Sequence, residues 1–535
     1  MPARSFPSAN TSHARPARFA CAAFITALAL LGVATAEPAL SFYVRQYRVE
    51  GASRLPKIDV ESAVYPFMGP ARTADDVELA RLALEKAYHD RGLQTVSVEI
   101  PQQDPRRGII RLRVNQGKVA RLRVNNARWF LPSRIKKEVP SLAEGSVPDF
   151  KQVEKEIIAL NRLADRRVTP QLRPGIEPGS VEIDLNVEDK LPLHGSLELN
   201  NRNSADTSPL RLNGALSYGN LFQLGHTLGL NFQIAPEDLD DALVYSAYYL
   251  ARVSDKASLM LNATRQDSDI STLGGAAVAG NGNILGIRAM IDMPTSQGFY
   301  QNFSIGIDFK DLSEDLLIGK NTVSAPIEYY PISANHAASW LSEKHYTELN
   351  TGLMFHLRGM GSDEAEFDNK RYNATGNFMV LRADAAHTRD LKYGAQVFAK
   401  VQGQAATNPL VNSEQIAGGG LGTVRGYLEA TALGDNGVFG TVELRSPTLI
   451  GKGDTSPDPE NEWRFHAFAD AGLVGIYDAL PGQRDRYGLS SVGLGSRIRV
   501  RGHYHASLDA GMSLIEQAYA DDGDIRVTFR GWADF

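Results

Sequence analysis

The chain of 535 residues contains one cysteine, Cys21, and that cysteine falls in a stretch that reads as a cleavable export signal. Residues 1–18 carry Arg4, Arg15 and Arg18 and no acid, and Phe19–Val33 is apolar. Ala34-Thr35-Ala36 places small residues where a signal peptidase reads, so the signal spans 1–36 and is cut before Glu37. The preceding Arg18-Phe19-Ala20 is a poor lipidation box. A mature chain without cysteine has no disulfides, so an exported protein of this size must be held together otherwise, as by extended sheet hydrogen bonding. Long apolar runs are also missing beyond residue 36. A membrane helix needs about 20 apolar residues, which excludes helical spans. A β-barrel stays open, because its strands alternate and never read as strongly hydrophobic. A mean hydropathy of −0.24, 48 Gly and 19 Tyr suit that class.

Signatures of chemistry are missing too. There is no glycine-rich phosphate loop followed by Lys-Ser/Thr, no His-Glu-x-x-His and no Gly-x-Ser-x-Gly. No catalytic, cofactor-binding or metal residues are expected, and the chain does not read as an enzyme. His503-x-His505 puts two imidazoles on one strand face and reads as a polar lumen or rim feature rather than a metal site. Residues 37–189 hold 25 Lys+Arg against 22 Asp+Glu, and 190–535 hold 28 against 40. The acidic second part argues against nucleic acid as a partner and suits polar loops around a hydrated lumen.

The N-terminal third contains two small repeated units. Phe42–Val49 alternates as a strand. A helix begins near Thr73, with Asp76 completing a capping box and Val77, Ala80, Leu84 and Ala87 at helical spacing. Gly92 ends it, and Leu93–Ile100 and Gly108–Val114 alternate again. The second unit repeats the order: strand Val119–Asn125, a helix marked by Phe150, Val153, Ile157 and Leu160, then strands Val168–Leu172 and Val181–Val187. Each unit, about 75 residues, is near the lower size for an independent core. A small sheet backed by helices leaves an edge that can receive an extended partner.

From Leu191 onward, alternating segments recur with turns between them, about sixteen strands in all, an even number as hairpin closure requires. The last, Asp524–Phe535, puts Ile525, Val527, Phe529, Gly531, Ala533 and Phe535 on one face. Arg526, Thr528, Arg530 and Asp534 occupy the other. A terminal aromatic on such a strand is the usual signal read by the barrel assembly machinery for insertion into outer-membrane lipid; Phe535 and Phe529 carry it. Between two strand-like segments lies Gly418-Gly-Gly-Leu-Gly-Thr-Val-Arg-Gly-Tyr427. Its one cation, Arg425, reads as a fixed charge on a flexible loop that folds back and docks by an ion pair. In Trp463–Leu473, Arg464, His466, Phe468, Asp470 and Gly472 share the lumen face. Asp470, and Glu443 from the preceding strand, could meet the loop.

In order along the chain, several segments resemble the outer-membrane transporters of two-partner secretion, the haemolysin and filamentous-haemagglutinin exporter type. They are Tyr88-His-Asp-Arg-Gly92, Ile100-Pro-Gln-Gln103, Leu160-Asn-Arg-Leu-Ala-Asp-Arg-Arg-Val168, Arg173-Pro-Gly175 and Glu177-Pro-Gly179. Val424-Arg-Gly-Tyr427, Gly434-Asp-Asn-Gly437, Glu443-Leu-Arg-Ser-Pro447 and Phe468-Ala-Asp-Ala-Gly472 follow. The resemblance implies a mainly β fold, with two small α/β POTRA domains (41–117 and 118–189) in the periplasm and a 16-stranded transmembrane antiparallel barrel (190–535). It implies that the loop of Val424, Arg425, Gly426 and Tyr427 lies in the lumen and gates it, docked on Asp470, Phe468, Gly472 and Glu443. It also implies that the POTRA domains capture an unfolded secreted exoprotein, an adhesin or haemolysin-like cargo, which crosses the pore without ATP. Only about five residues separate the expected cleavage site from the first strand, so a plug helix is not expected. An insertase for other barrels is the alternative within the same superfamily, and a passive porin the alternative from another class.

Overall fold

The computed structural model describes residues 41–177, 179–273, 276–318, 321–451 and 459–535. The expected signal at 1–36, with Cys21, and the stretch in which a plug helix was considered lie outside the described residues. The chain divides into two compact units, Met1–Gly117 and Lys118–Phe535.

In the first unit, helix Ala74–Asp90 starts at Thr73, whose side chain accepts from Asp76 N while Thr73 N donates to the Asp76 carboxylate at 2.8 Å. That reciprocal cap satisfies two otherwise unpaired amides. Val77, Ala80, Leu84 and Tyr88 form its buried stripe, three or four residues apart as one helix face requires. The sheet runs Gln46–Glu50, Ile109–Gln116, Val96–Glu99, with the first pair parallel and the second antiparallel. The single strand expected over Phe42–Val49 is split. Phe42–Val44 pairs with Gly69–Arg72, and Arg45 N and Gln46 N both donate to Gly108 O. Helix Lys57–Val64, which no spacing in the chain located, buries only Val64, so it leaves no apolar periodicity to read.

The second unit begins with a similar α/β element. Its sheet runs Lys118–Asn125, Ser180–Asp189, Arg166–Pro174, and helix Phe150–Leu160 starts at Asp149, whose carboxylate accepts from Lys151 N at 2.9 Å. Leu122, Phe130, Ile135, Val153, Leu160 and Ile183 pack as its core. The motif 160–168 has a structural task here. Asn161 receives Val168 N at 2.7 Å and donates to Val168 O at 3.0 Å. Arg166, buried, donates twice to Leu160 O and lies over the Phe130 ring. Both bonds tie the end of the helix to the next strand. The same element meets the barrel where Asp165 accepts from His194 at 2.9 Å and Gln223 bridges Leu131 N and Trp129 O.

Among the described residues, seventeen strand segments close into one antiparallel barrel. Two of them, Asn321–Tyr329 and Ile332–Leu341, pair in succession with the single strand Phe299–Ile318. They are two halves of one wall strand, interrupted at Tyr330-Pro331 because proline has no amide for the ladder. Sixteen strands therefore go round. Alternation sorts the residues: Leu230, Val442, Leu494 and Ile525 point outward and are 53, 56, 67 and 69% exposed, while Gln233, Glu443, Asp470 and Asp509 point inward and are buried. An outward apolar band this extensive fits hydrocarbon rather than water. The circle closes between Leu193–Asn200 and Ile525–Asp534 in five residue pairs, Arg530↔Asn200 to Asp534↔Ser196. Gly195 and Phe535 then exchange two backbone hydrogen bonds, at 3.2 and 3.0 Å. Phe535 is exposed on the outer face, and Phe529 is half-buried on the same side.

Candidate functional site

The segment between Ala406 and Asn436 enters the barrel. Its stems pair as a short hairpin, Ile416–Gly418 with Ala432–Gly434. Thr423 tightens the turn by accepting from Gly419 N at 2.8 Å. Gly434-Asp-Asn-Gly437 is the clasp at the base. The buried Asp435 accepts from Leu410 N at 2.8 Å, from the Gln415 amide at 3.3 Å and from Tyr477 N at 2.7 Å, which joins both stems to a neighbouring loop.

At the tip, Arg425 is 4% exposed. Its Nε and one terminal nitrogen each donate to Asp470 at 2.8 Å, the two-pronged geometry of a guanidinium on a carboxylate. The other terminal nitrogen donates to Glu443 at 2.7 Å and to Asp509 at 3.3 Å, and Arg425 N donates to Asp470 at 3.1 Å. The guanidinium lies 3.5 Å above the centre of the Phe468 ring. Glu443 also receives Arg445 at 2.8 and 2.9 Å and Arg497 at 3.0 Å. Three guanidiniums thus face three carboxylates, and the network balances its charge inside the barrel. His466 Nε2 lies 2.7 Å from Asp509, a contact that needs the proton on Nε2 because a carboxylate only accepts.

The neighbours of Arg425 fix its approach. Val424 and Tyr427 are fully buried and pack with Ala432, Phe439, Val474 and Leu489. The Tyr427 hydroxyl donates to Ile515 O at 2.7 Å and Ser490 O at 3.0 Å. Gly426 has φ +96°, a conformation side chains resist. Gly472 is required by a close approach: a Cβ there would meet the Phe439 ring at 2.2 Å. Glu429, past the tip, accepts from Arg202 Nε at 2.7 Å, and its backbone N donates to Asn203 O at 3.1 Å.

The structure therefore brings together Val424, Arg425, Gly426, Tyr427, Asp470, Phe468, Gly472 and Glu443. Phe529 and Phe535 lie elsewhere, on the outer face. Sequence reasoning missed Asp509, Arg497, Phe439 and Glu429. Asp509 had a legible signal, since His505, Ser507, Asp509 and Gly511 share the inward face of their strand. His505 Nε2 donates to the Asp534 carboxylate at 2.8 Å and its ring stacks on Trp532; no group of side chains able to hold a metal ion occurs among the described residues.

Comparison with known proteins agrees with this architecture. Residues 42–117 match the POTRA domain, ShlB-type, and 333–498 match the haemolysin secretion/activation protein ShlB/FhaC/HecB. The outer membrane transporter CdiB of Dickeya dadantii is 22% identical over 425 residues, 75% of this chain and 72% of that protein. A CdiB from Escherichia coli O6:K15:H31 is 27% identical over 179 residues, 34% of this chain and 30% of its own length. In fold, the chain is similar to the solved CdiB from Escherichia coli, with a TM-score of 0.59 at 20% identity over 94% of this chain and 92% of that one. It is also similar to BamA from Haemophilus ducreyi lacking POTRA domains 1–3, with a TM-score of 0.56 at 13% identity over 93% of this chain and 100% of that one. The barrel lies in the outer membrane and the POTRA domain in the periplasm. The chain is thus similar to the outer-membrane transporters of two-partner secretion, over residues 42–117 and 333–498 by family model and over most of its length by fold.

Proposed function

We propose that this chain is a protein-export pore. Its two α/β units, 41–117 and 118–189, act as periplasmic POTRA domains that capture an unfolded secreted exoprotein, and the barrel, 190–535, passes it outward. Energy comes from binding and from folding outside the cell, without ATP or catalysis. The open edges of the two small sheets suit capture, since an extended chain can add to an unpaired strand by backbone hydrogen bonds alone. Strand Arg166–Pro174 is a poor acceptor, because Pro170 and Pro174 remove edge amides; Val96–Glu99 in the first sheet has neither.

One observation carries the reading: Arg425, on a loop long enough to occupy the lumen, is held there by a buried, charge-balanced network. A passive porin needs neither that device nor two α/β units before its barrel. The fold is shared with BamA, so an insertase remains the second reading, and the two differ in their cargo. The test is to read the open reading frame adjoining this chain's gene and to co-express the chain with any large secreted protein encoded there. Export of that protein by wild type, and its loss in Arg425→Ala with barrel levels unchanged, supports an exporter. A chain whose depletion lowers other barrel proteins while secretion continues is an insertase.

A further inference from the structure

We propose that Lys310, Tyr329 and Arg382 form a carboxylate receptor on the barrel wall, in which Glu414 now sits as a second latch of the lumen loop. Its use by a passing polypeptide rests on the export reading; the receptor itself does not.

Glu414 lies eleven positions before Arg425 on the same loop and is 1% exposed. One carboxylate oxygen accepts from the Tyr329 hydroxyl at 2.8 Å and pairs with Lys310 Nζ. The other lies 3.6 Å from an Arg382 nitrogen. The backbone carbonyl of Glu414 also accepts, from Arg382 and from the Gln404 amide, both at 3.0 Å. Tyr329 is fully buried, and Lys310 lies over its ring, so the receptor is a built feature of the wall and not a surface cluster.

This anchor is independent of the first. Lys310, Tyr329 and Arg382 belong to strands Phe299–Ile318, Asn321–Tyr329 and Phe378–Asp390, whereas the Arg425 network belongs to Asn436–Arg445, Glu462–Gly475, Arg486–Val500 and Tyr504–Ser513. The two lie on separate arcs of the barrel. At the Arg425 end the loop supplies the cation and the wall the acids; at the Glu414 end the polarity is reversed. Without Glu414 the receptor presents two cations and one hydroxyl donor. It opens on a cavity of about 490 Å³ that Arg202 and Lys400 also line, with Asp384 and Glu429 as the opposing acids. The ligand class such a site takes is a carboxylate: Glu414 in the closed pore, and an acidic side chain of the passing chain when the loop is displaced.

The experiment uses the full-length protein in planar lipid bilayers, with a heat-modifiability assay confirming the folded barrel. Glu414→Ala is expected to raise mean conductance several-fold, and added propionate to return it toward wild type by filling the vacated receptor. Wild type should not respond to propionate. Lys310→Met is expected to raise conductance without rescue, because the receptor itself is damaged. Unchanged conductance in Glu414→Ala overturns the latch. A raised conductance that ignores propionate overturns the receptor and leaves only lost packing. None of these readouts requires export, so a failure of the exporter reading shows separately, as wild-type chain that secretes no partner.

Discussion

Gly426 and Gly511 meet backbone to backbone: a Cβ on Gly511 would lie 2.7 Å from Gly426 N and 3.0 Å from Arg425 C. The tip of the lumen loop is pressed against the wall strand Tyr504–Ser513 at the one place where that strand has no side chain in the way. Arg425 reaches its three carboxylates because of this contact, and the wall has no room for a methyl group.

Gly511→Ala should therefore push the loop off its seat. Overpacking of this kind costs about 1–3 kcal/mol, which falls on loop docking since the ladder on either side of Gly511 is intact. Higher pore conductance with normal barrel levels is the expected result. Unaltered conductance would show that the loop can shift without leaving its anchor.

Asp470→Asn keeps the shape of the anchor and removes one of its three negative charges. Breaking a buried pair from one side costs about 3–5 kcal/mol, less here because Glu443 and Asp509 still face Arg425. Arg425→Lys retains the charge but not the planar fork that grips Asp470 by two bonds. Both variants should reduce export to a similar degree, with the double variant hardly worse than either. Additive losses in a secretion assay would mean that the two residues act separately.

Phe535 sits at the closing seam, where its ring covers Gly195 so closely that a Cβ there would lie 2.5 Å from it. Deleting Phe535 removes the outward aromatic and two backbone bonds to Gly195. Outer-membrane levels should fall. Gly195→Leu should lower them too, by displacing the same ring. Normal amounts of heat-modifiable barrel in both strains would remove the seam from the assembly signal.

Asn161→Ala should loosen the second α/β element without touching the pore. It leaves Val168 N and O without side-chain partners at the end of helix Phe150–Leu160, at a cost of about 1–3 kcal/mol. Limited proteolysis of the full chain is expected to cut sooner near residues 161–168 while conductance stays at the wild-type value.

Much of the fold was legible because strands and helices write their periods into the chain. Val77, Ala80 and Leu84 gave the helix of the first unit, and Thr73 with Asp76 gave its start. In the barrel, Glu462–Gly475 runs one or two residues beyond the expected Trp463–Leu473 at each end. Strands Ala257–Leu273 and Phe299–Ile318 run well past the stretches whose residues alternate, 257–264 and 303–309, and no such stretch announced Ala276–Asp292. Backbone pairing continues along a neighbour where the side chains no longer alternate.

By itself the sequence determined the fold class and the inward face of the strands that carry Glu443, Asp470 and Arg530. Side-chain direction in a strand has period two and is fixed locally, so Asp470 and Glu443 could be assigned to the lumen before any contact was known. It also singled out Arg425, as a lone cation among glycines. Asp470 and Glu443 were expected as its partners; the tertiary structure alone brought in Asp509 and gave Glu414 a partner of its own. Asp509 lies 84 residues from Arg425 along the chain, and Glu414 finds Lys310 104 residues away. Such pairs are set by how strands are ordered around the closed barrel and by the path of one loop through it, and no local period in the chain records either.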